Sequence, residues 1–510
     1  MAASQKGRIS SRDIIRWIVF QFTTYPLLAG VVVYTAAAAV FAVMVEGSYI
    51  DDAYIFFQYA RTWAGSGILA FNPGEPSYGV TSILWTALLA VGQLLFGNVI
   101  FAAKLWSVIF GVAGAALWCK WLSDRLERRF SLAAMVWAAV LPNLGASWMV
   151  CGMEIPVATF FTGLLLVVAS SGIRGRFFWE GAVGGLIVLV RPDLAIFPAG
   201  LIVYRVLKRE YRAAAGIGIA VAIVAAPWSI WLYSQTGALL PPTRYGKLAV
   251  FLPEIIGPTI GQFADAGIGQ RIRWALKAWG LFPGGVWSHI GLLLLTAAAV
   301  ILPVARFVIS REKGVGALLV PAVSIISLFI LYGLFFPLLQ LRYFVWAIPG
   351  LIAAIVLSGQ DLLRRKQRLI VAWMITICFL VLFIPVIRHR IAVDRYQQVR
   401  RSVATAIQAY TPFASRIALE PIGEIGFYSD RYIVDMGGLV SASVRPWIVN
   451  GYQDTARIWD CLTAEKADFL VTYADELSLG RLPAAYPERF TLVTTIPPWD
   501  PVYRLYRIIK

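Results

Sequence analysis

The chain is poor in charge, and poorest in acid. Only 14% of its 510 residues are charged, and 28 acids stand against 45 bases. There are two histidines, His289 and His389, far apart in sequence. Of the four cysteines, Cys119 and Cys378 lie in apolar runs, and Cys151 and Cys461 are candidates for one aqueous face. No CxxC occurs and no spacing implies a pair, which argues against a zinc site. There is no P-loop, and no GxGxxG opens a helix, so no nucleotide site is expected. No internal repeat and no low-complexity tract is found.

What is abundant is apolar. Hydrophobic residues make up 59% of the chain, and mean hydropathy is +0.72. A soluble domain with that balance would leave too much apolar surface in water, so the natural solvent is a bilayer. The net charge of +17 comes from short basic clusters between apolar runs. That pattern orients spans and does not suggest nucleic-acid binding.

Parity of those clusters predicts the topology. The basic leader, residues 1–16, stays cytoplasmic, and residues 25–45 form a signal anchor. Residues 46–80 then read as a first outer loop, amphipathic, with turns at "GSG" and "NPGEP". Residues 81–97 are short for a crossing, and the basic cluster at 123–130 favours an interfacial or re-entrant helix there. The run 181–207 has basic flanks at both ends and Arg191-Pro192-Asp193 in the middle, which predicts two short helices meeting at a break. Continuing the count gives about eleven spans. From about Arg388 the composition changes. Short apolar runs at "RIALE", "RYIVDM", "DFLVTY", "RFTLVTTI" and "VYRLYRIIK" read as strands, with a helix near 453–466. The expected fold is a polytopic α-helical membrane protein, residues 1–395, with an extracytoplasmic α/β domain, residues 396–510.

On this topology the scarce acids gather at the outer face: Asp51, Asp52, Glu75, Glu154 and Asp193. Intramembrane or juxtamembrane carboxylates are retained where they face a cavity or a partner. Adjacent carboxylates such as Asp51 and Asp52 suit a general base beside a group that orients substrate. The cations Arg191, Arg244, Lys247 and Arg342 share the face, and a phosphate leaving group needs such partners. Tyr343 adds a hydroxyl. The plainer readings are a turn at Glu75, headgroup contacts for Lys247 and Arg342, and an Arg191–Asp193 structural pair. The aromatics of the loop (Tyr49, Tyr54, Phe56, Phe57, Tyr59, Trp63) suit a sugar ring, and equally an interfacial belt.

These residues carry a resemblance. "DDAYIFFQYARTWAGSGILAFNPGEPSYGVTSILW" resembles the first outer loop of bacterial GT-C glycosyltransferases, in particular the arabinofuranosyltransferase group that includes the mycobacterial terminal enzyme. "CGMEIP" (151–156) resembles that family's Gly-Met-Glu-Thr element, with Ile155 where threonine is usual. "VRPDLAIF" (190–197) is similar to its Arg-Pro-acid element. "LLPPTRYGK" (239–247) resembles its Pro-Asn-Thr element, with Pro242 where asparagine is usual. "LRYFVWAIP" (341–349) and "GEIGFYSDRYIVDMGGLVS" (423–441) resemble its Arg-Tyr element and a motif of its outer domain.

The resemblance implies transfer of a sugar, such as arabinofuranose or another pentose or hexose. The donor would be a polyprenyl-phosphate sugar and the acceptor a glycan, glycolipid or protein of the cell envelope. It places the reaction on the outer side of the bacterial inner membrane. Asp51 or Asp52 would match the catalytic acid, with Asp51 favoured on likeness alone. Glu154, Arg191, Asp193, Lys247, Arg342 and Tyr343 would line the cavity, with Glu424 and Asp435 (and Glu420) presenting the outer domain to it. No cofactor is required, although Asp51, Asp52 and Glu154 are oxygen ligands of the kind a divalent cation takes. A transporter or flippase of a lipid-linked sugar is the rival reading. It predicts inverted repeats and midplane charges, neither of which the sequence displays.

Overall fold

A computed structural model describes residues 49–125, 152–239, 257–258, 260–281, 397–449, 451–473, 478–496 and 502–509, with isolated helical positions between 32 and 357. The expected count of about eleven spans falls largely outside these residues, as do Lys247, Arg244, Arg342, Tyr343 and Cys151.

The first segment departs from expectation. Residues 46–80 read as a loop, yet Asp51–Ser66 is a 16-residue helix, α1. Two acids in its first turn favour the positive end of the helix dipole, and Gly67, at φ 73°, closes its end with an N–H bond to Trp63. The sequence hides the helix because Ala53 through Ala60 are buried on every side. The polar residues fall mainly at its ends, so the buried middle does not separate a helix from an amphipathic loop. The "NPGEP" turn does form: the Glu75 N–H reaches the Asn72 carbonyl, and Ala70 bridges Pro76.

Helix α2 (Ile83–Phe96) has 14 residues and begins with Ser82 accepting the Trp85 N–H. It is about 21 Å long, short of a bilayer core of about 30 Å. Helix α3 (Val99–Ser123) packs on α4 (Ile155–Ser170), tied by the Trp118 indole N–H to the Thr159 carbonyl at 3.1 Å. The run 181–207 forms the expected broken hairpin: α5 (Arg176–Val190), one 3-10 turn (Pro192–Ala195), then α6 (Ile196–Leu207). Pro192 explains the break, because it forces the preceding residue out of helical geometry. Arg191 is accordingly extended, at φ −158° and ψ 128°.

Helix α7 (Tyr211–Thr236) packs along α5 and turns Ile219, Ile223 and Ile230 outward, each more than half exposed; α8 (Ile260–Asp265) and α9 (Ile268–Leu281) come later in the chain. Among the described residues, α7 and the Val99–Trp118 part of α3 are long and apolar enough to cross a membrane. The described residues are mainly helical and end in a sheet-containing unit.

All five strand-like runs become strands. β1 (Arg416–Leu419), β2 (Tyr432–Asp435), β3 (Phe469–Tyr473), β4 (Phe490–Ile496) and β5 (Tyr503–Ile508) form one sheet in the order β2-β1-β3-β5-β4. β1 pairs in parallel with β2 and β3, and β5 runs antiparallel to β3 and β4. The central strands are buried on both faces, as parallel strands usually are. Ala418, Val434 and Leu470 pack in one cluster with Ile458 and Cys461 of α11 (Thr455–Ala464). Ile417, Leu419, Ile433 and Val471 belong to the larger core that also holds Tyr54, Phe57 and Tyr59 of α1. Cys461 is therefore a core residue and does not face water as expected.

Between β1 and β2 lies a short helix, α10 (Gly423–Ser429). A longer helix over residues 397–410 precedes the sheet. These two helices and β2 hold the first loop.

Candidate active site

The acidic pair sits at the start of α1, and α10 is built against it. Asp51 accepts the Gly423 N–H at 3.1 Å and the Glu424 N–H at 2.9 Å, one on each carboxylate oxygen. Arg400 of the 397–410 helix places Nε 3.7 Å from the same carboxylate. Position 423 has to be glycine, because a Cβ there would lie 2.0 Å from the Asp51 carbonyl oxygen. Asp52 follows at the second position of α1 and is half-buried.

Glu424 is fully buried and accepts Arg401 Nε at 3.1 Å on one oxygen. Its other oxygen has no hydrogen-bond partner. Burial pushes its carboxyl up to about 7, against the pull of Arg401 and Arg400, with Asp51 adding to the rise. Arg401 also reaches the Tyr54 hydroxyl at 3.4 Å and lies over the Tyr428 ring. The loop aromatics thus close the joint between α1 and α10: Tyr54 and Phe57 pack on Phe427 at ring-centre distances of 5.6 and 6.2 Å.

The rest of the loop is held by β2. Asn72 donates to the Ile433 carbonyl and accepts the Ile433 N–H, both at 2.9 Å, as an added strand residue would. Arg61 spans to the Phe427 carbonyl and to Asp430.

A second polar centre lies at the break of the α5–α6 hairpin. Arg191 donates Nη1 to Glu154 at 2.6 Å, and Nε and Nη2 to the two oxygens of Asp193, each at 2.9 Å. Glu154 is buried, and its second oxygen has no hydrogen-bond partner. The Gly-Met-Glu turn joins this centre to the first. Gly152, at φ 77°, packs so closely on α1 that a Cβ would meet Phe57 at 2.6 Å and Ala53 at 3.2 Å. The Trp85 indole holds the Gly152 carbonyl at 2.9 Å. The "DD", "GME", "RPD" and "GEIGF" pieces are therefore brought together.

Asp435 has a different place. It ends β2, is fully buried, and accepts the Gly437 N–H at 2.9 Å and the Val440 N–H at 2.7 Å. Burial pushes its carboxyl up to about 6, with those amides opposing. Its oxygens shape the "MGGLVS" turn. Glu420, after β1, accepts the Tyr452 hydroxyl. Among the described residues, no three His, Cys, Asp or Glu side chains gather to hold a metal ion. Asp51 accepts two backbone amides, and Glu154 accepts Arg191 on one oxygen.

Arg400, Arg401 and Asn72 were not singled out from the sequence. Both arginines meet carboxylates that lie outside their own helix, so no local spacing marks them.

A family model described as Domain of unknown function (DUF8728) matches residues 387–507. The terminal beta-(1->2)-arabinofuranosyltransferase of Mycobacterium tuberculosis is 27% identical over 217 residues, which is 39% of this chain and 34% of that protein. The chain thus spans about a third of the length of that curated relative. ArnT from Cupriavidus metallidurans, solved bound to undecaprenyl phosphate, superposes with a TM-score of 0.54 at 14% identity, covering 97% of this chain and 98% of ArnT. The Archaeoglobus fulgidus oligosaccharyltransferase, tethered to an acceptor peptide, superposes with a TM-score of 0.56 at 14% identity, covering 93% of this chain and 73% of that one. The chain has the fold of these two solved GT-C proteins over nearly its whole length.

Proposed function

We propose that the protein is a glycosyltransferase that moves a sugar from a polyprenyl-phosphate donor to a cell-envelope glycan, glycolipid or protein at the outer face of the inner membrane. The observation that carries this reading is the junction itself. Four separate acid-bearing segments meet where α1 joins the sheet unit, in a chain with the GT-C fold.

In the proposed step an acceptor hydroxyl loses its proton to a carboxylate of the acidic pair. Its oxygen forms a bond to the anomeric carbon as the bond from that carbon to the phosphate oxygen breaks. The electron pair leaves with the polyprenyl phosphate. We assign the proton to Asp52. Both oxygens of Asp51 are taken up in holding Gly423 and Glu424. Arg191 serves Glu154 and Asp193, so it orders carboxylates on the sugar side. Charge on the departing phosphate is left to Lys247 and Arg342. The Asp435 turn shapes the sheet unit that carries α10.

The test is transfer by purified protein in nanodiscs, given a labelled undecaprenyl-phosphate sugar and envelope acceptors. Transfer by the wild type and none by the Asp51→Asn/Asp52→Asn double variant is expected. Full activity of that folded double variant would sink the assignment. Movement of the intact lipid-linked sugar across the membrane without transfer would favour a flippase instead.

A further inference from the structure

The first turn of the 397–410 helix grips the entry of α1 at two points. Gln397 donates Nε2 to the Tyr49 carbonyl at 2.6 Å, and Arg400 approaches Asp51 at 3.7 Å. Residues three apart share one helix face, so a single ridge clamps both sides of the α1 N-terminus. The next residue, Arg401, holds Glu424, whose own N–H holds Asp51.

The Arg400 side chain is only 19% exposed. Burial opposes its charge, but Asp51, then Tyr503, Tyr473 and Glu424, favour it, and the balance lies above the usual arginine value. Tyr473 and Tyr503 are register partners at the end of β3 and the start of β5, with ring centres 4.5 Å apart. The cation faces the first carboxylate of the loop.

We propose that Arg400 is a positioning residue: it holds the Asp51 carboxylate against the amides of Gly423 and Glu424, and through α1 it sets where the Asp52 carboxylate stands. In an α-helix each residue advances about 1.5 Å and turns about 100°, so fixing Asp51 fixes the bearing of Asp52. The sheet unit thereby controls the aim of the acidic pair across a sequence gap of more than three hundred residues. The role of Asp52 rests on the function proposed above. The grip on Asp51 does not.

Two measurements test this separately. The first is hydrogen–deuterium exchange of the full-length protein in nanodiscs. Arg400→Gln should speed exchange of the Gly423 and Glu424 amides at least about tenfold, the scale of losing one charged contact. Arg400→Lys, which keeps the charge, should leave exchange near wild type and guards against a folding defect in the glutamine variant. Unchanged exchange in Arg400→Gln overturns the proposal. The second is kinetics with a labelled undecaprenyl-phosphate sugar. Arg400→Gln should lower kcat by about tenfold, a partial loss like that of Asp51→Asn, with donor KM little changed, as for a misplaced catalytic group. Arg400→Lys should recover most of the loss, and Asp51→Asn/Arg400→Gln should be no worse than the more damaging single change. A raised donor KM with kcat kept would make Arg400 a substrate ligand and overturn the positioning role. If the wild type transfers no sugar, the proposed function fails, while the exchange result still decides the role of Arg400.

Discussion

Asp51 caps a helix that begins 372 residues later, through the backbone amides of Gly423 and Glu424. One acid of the pair is thus tied to the sheet unit, and the proposed function assigns the proton to its neighbour, Asp52. The two single variants should separate. Asp52→Asn should lower turnover by about a hundredfold or more, as for loss of a general base, with thermal stability nearly unchanged. Asp51→Ala loses two amide bonds to a carboxylate and should cost on the order of 2–4 kcal/mol of stability, read as a lowered Tm. The reverse pattern would exchange the two roles.

Gly423→Ala places a methyl group where the Asp51 carbonyl oxygen already stands. Backbone lies on both sides, so relief requires α1 and α10 to separate. A loss of about 2 kcal/mol or more is expected by scanning fluorimetry. Gly172→Ala, with open space around its Cβ, is the control and should leave Tm unchanged.

At the hairpin break, Arg191 is the counter-charge of a buried carboxylate with one unpartnered oxygen. Arg191→Met should destabilise by about 3–5 kcal/mol, because it leaves Glu154 buried and unpaired. Adding Glu154→Gln should recover part of that loss. Strict additivity of the two changes in a double-mutant cycle would mean that the pair is not coupled.

Glu424 gives the joint a pH dependence of defined sign. Its carboxyl is raised from 4.5 to about 7 in the fold, so the folded state favours the neutral acid. The stability this supplies is fully present below about pH 4.5 and is lost as pH rises through about 7, on the order of 3 kcal/mol in all. Asp435, raised to about 6, works in the same direction. Glu424→Gln mimics the neutral form. The Tm of the wild type relative to that variant should therefore fall between pH 5 and 8, and a difference that is flat across this range would contradict the assignment.

Much of the architecture was legible because its signals are local. Five short apolar runs flanked by turn residues became β1 to β5, and a proline beside two charges marked the hairpin break at Arg191. Helix α1 was missed for a physical reason: its polar residues fall mainly at its ends, and its middle is buried. The site was legible only in pieces. Asp51, Glu154 and Arg191 stand out because charge is rare in an apolar chain. The pairing of Asp51 with Gly423, and of Asn72 with Ile433, is a long-range relation between groups that look ordinary where they occur. Asp435, which the resemblance places toward the cavity, spends its oxygens on the amides of the "MGGLVS" turn that follows it.

The central claim is that the acidic pair at the head of α1 performs sugar transfer. Its most direct test is turnover of a labelled undecaprenyl-phosphate sugar by wild type, Asp51→Asn and Asp52→Asn, each purified in nanodiscs and shown to be folded. The account predicts transfer by the wild type, near-complete loss in Asp52→Asn and a partial loss in Asp51→Asn. Wild-type rates in both folded variants would contradict it.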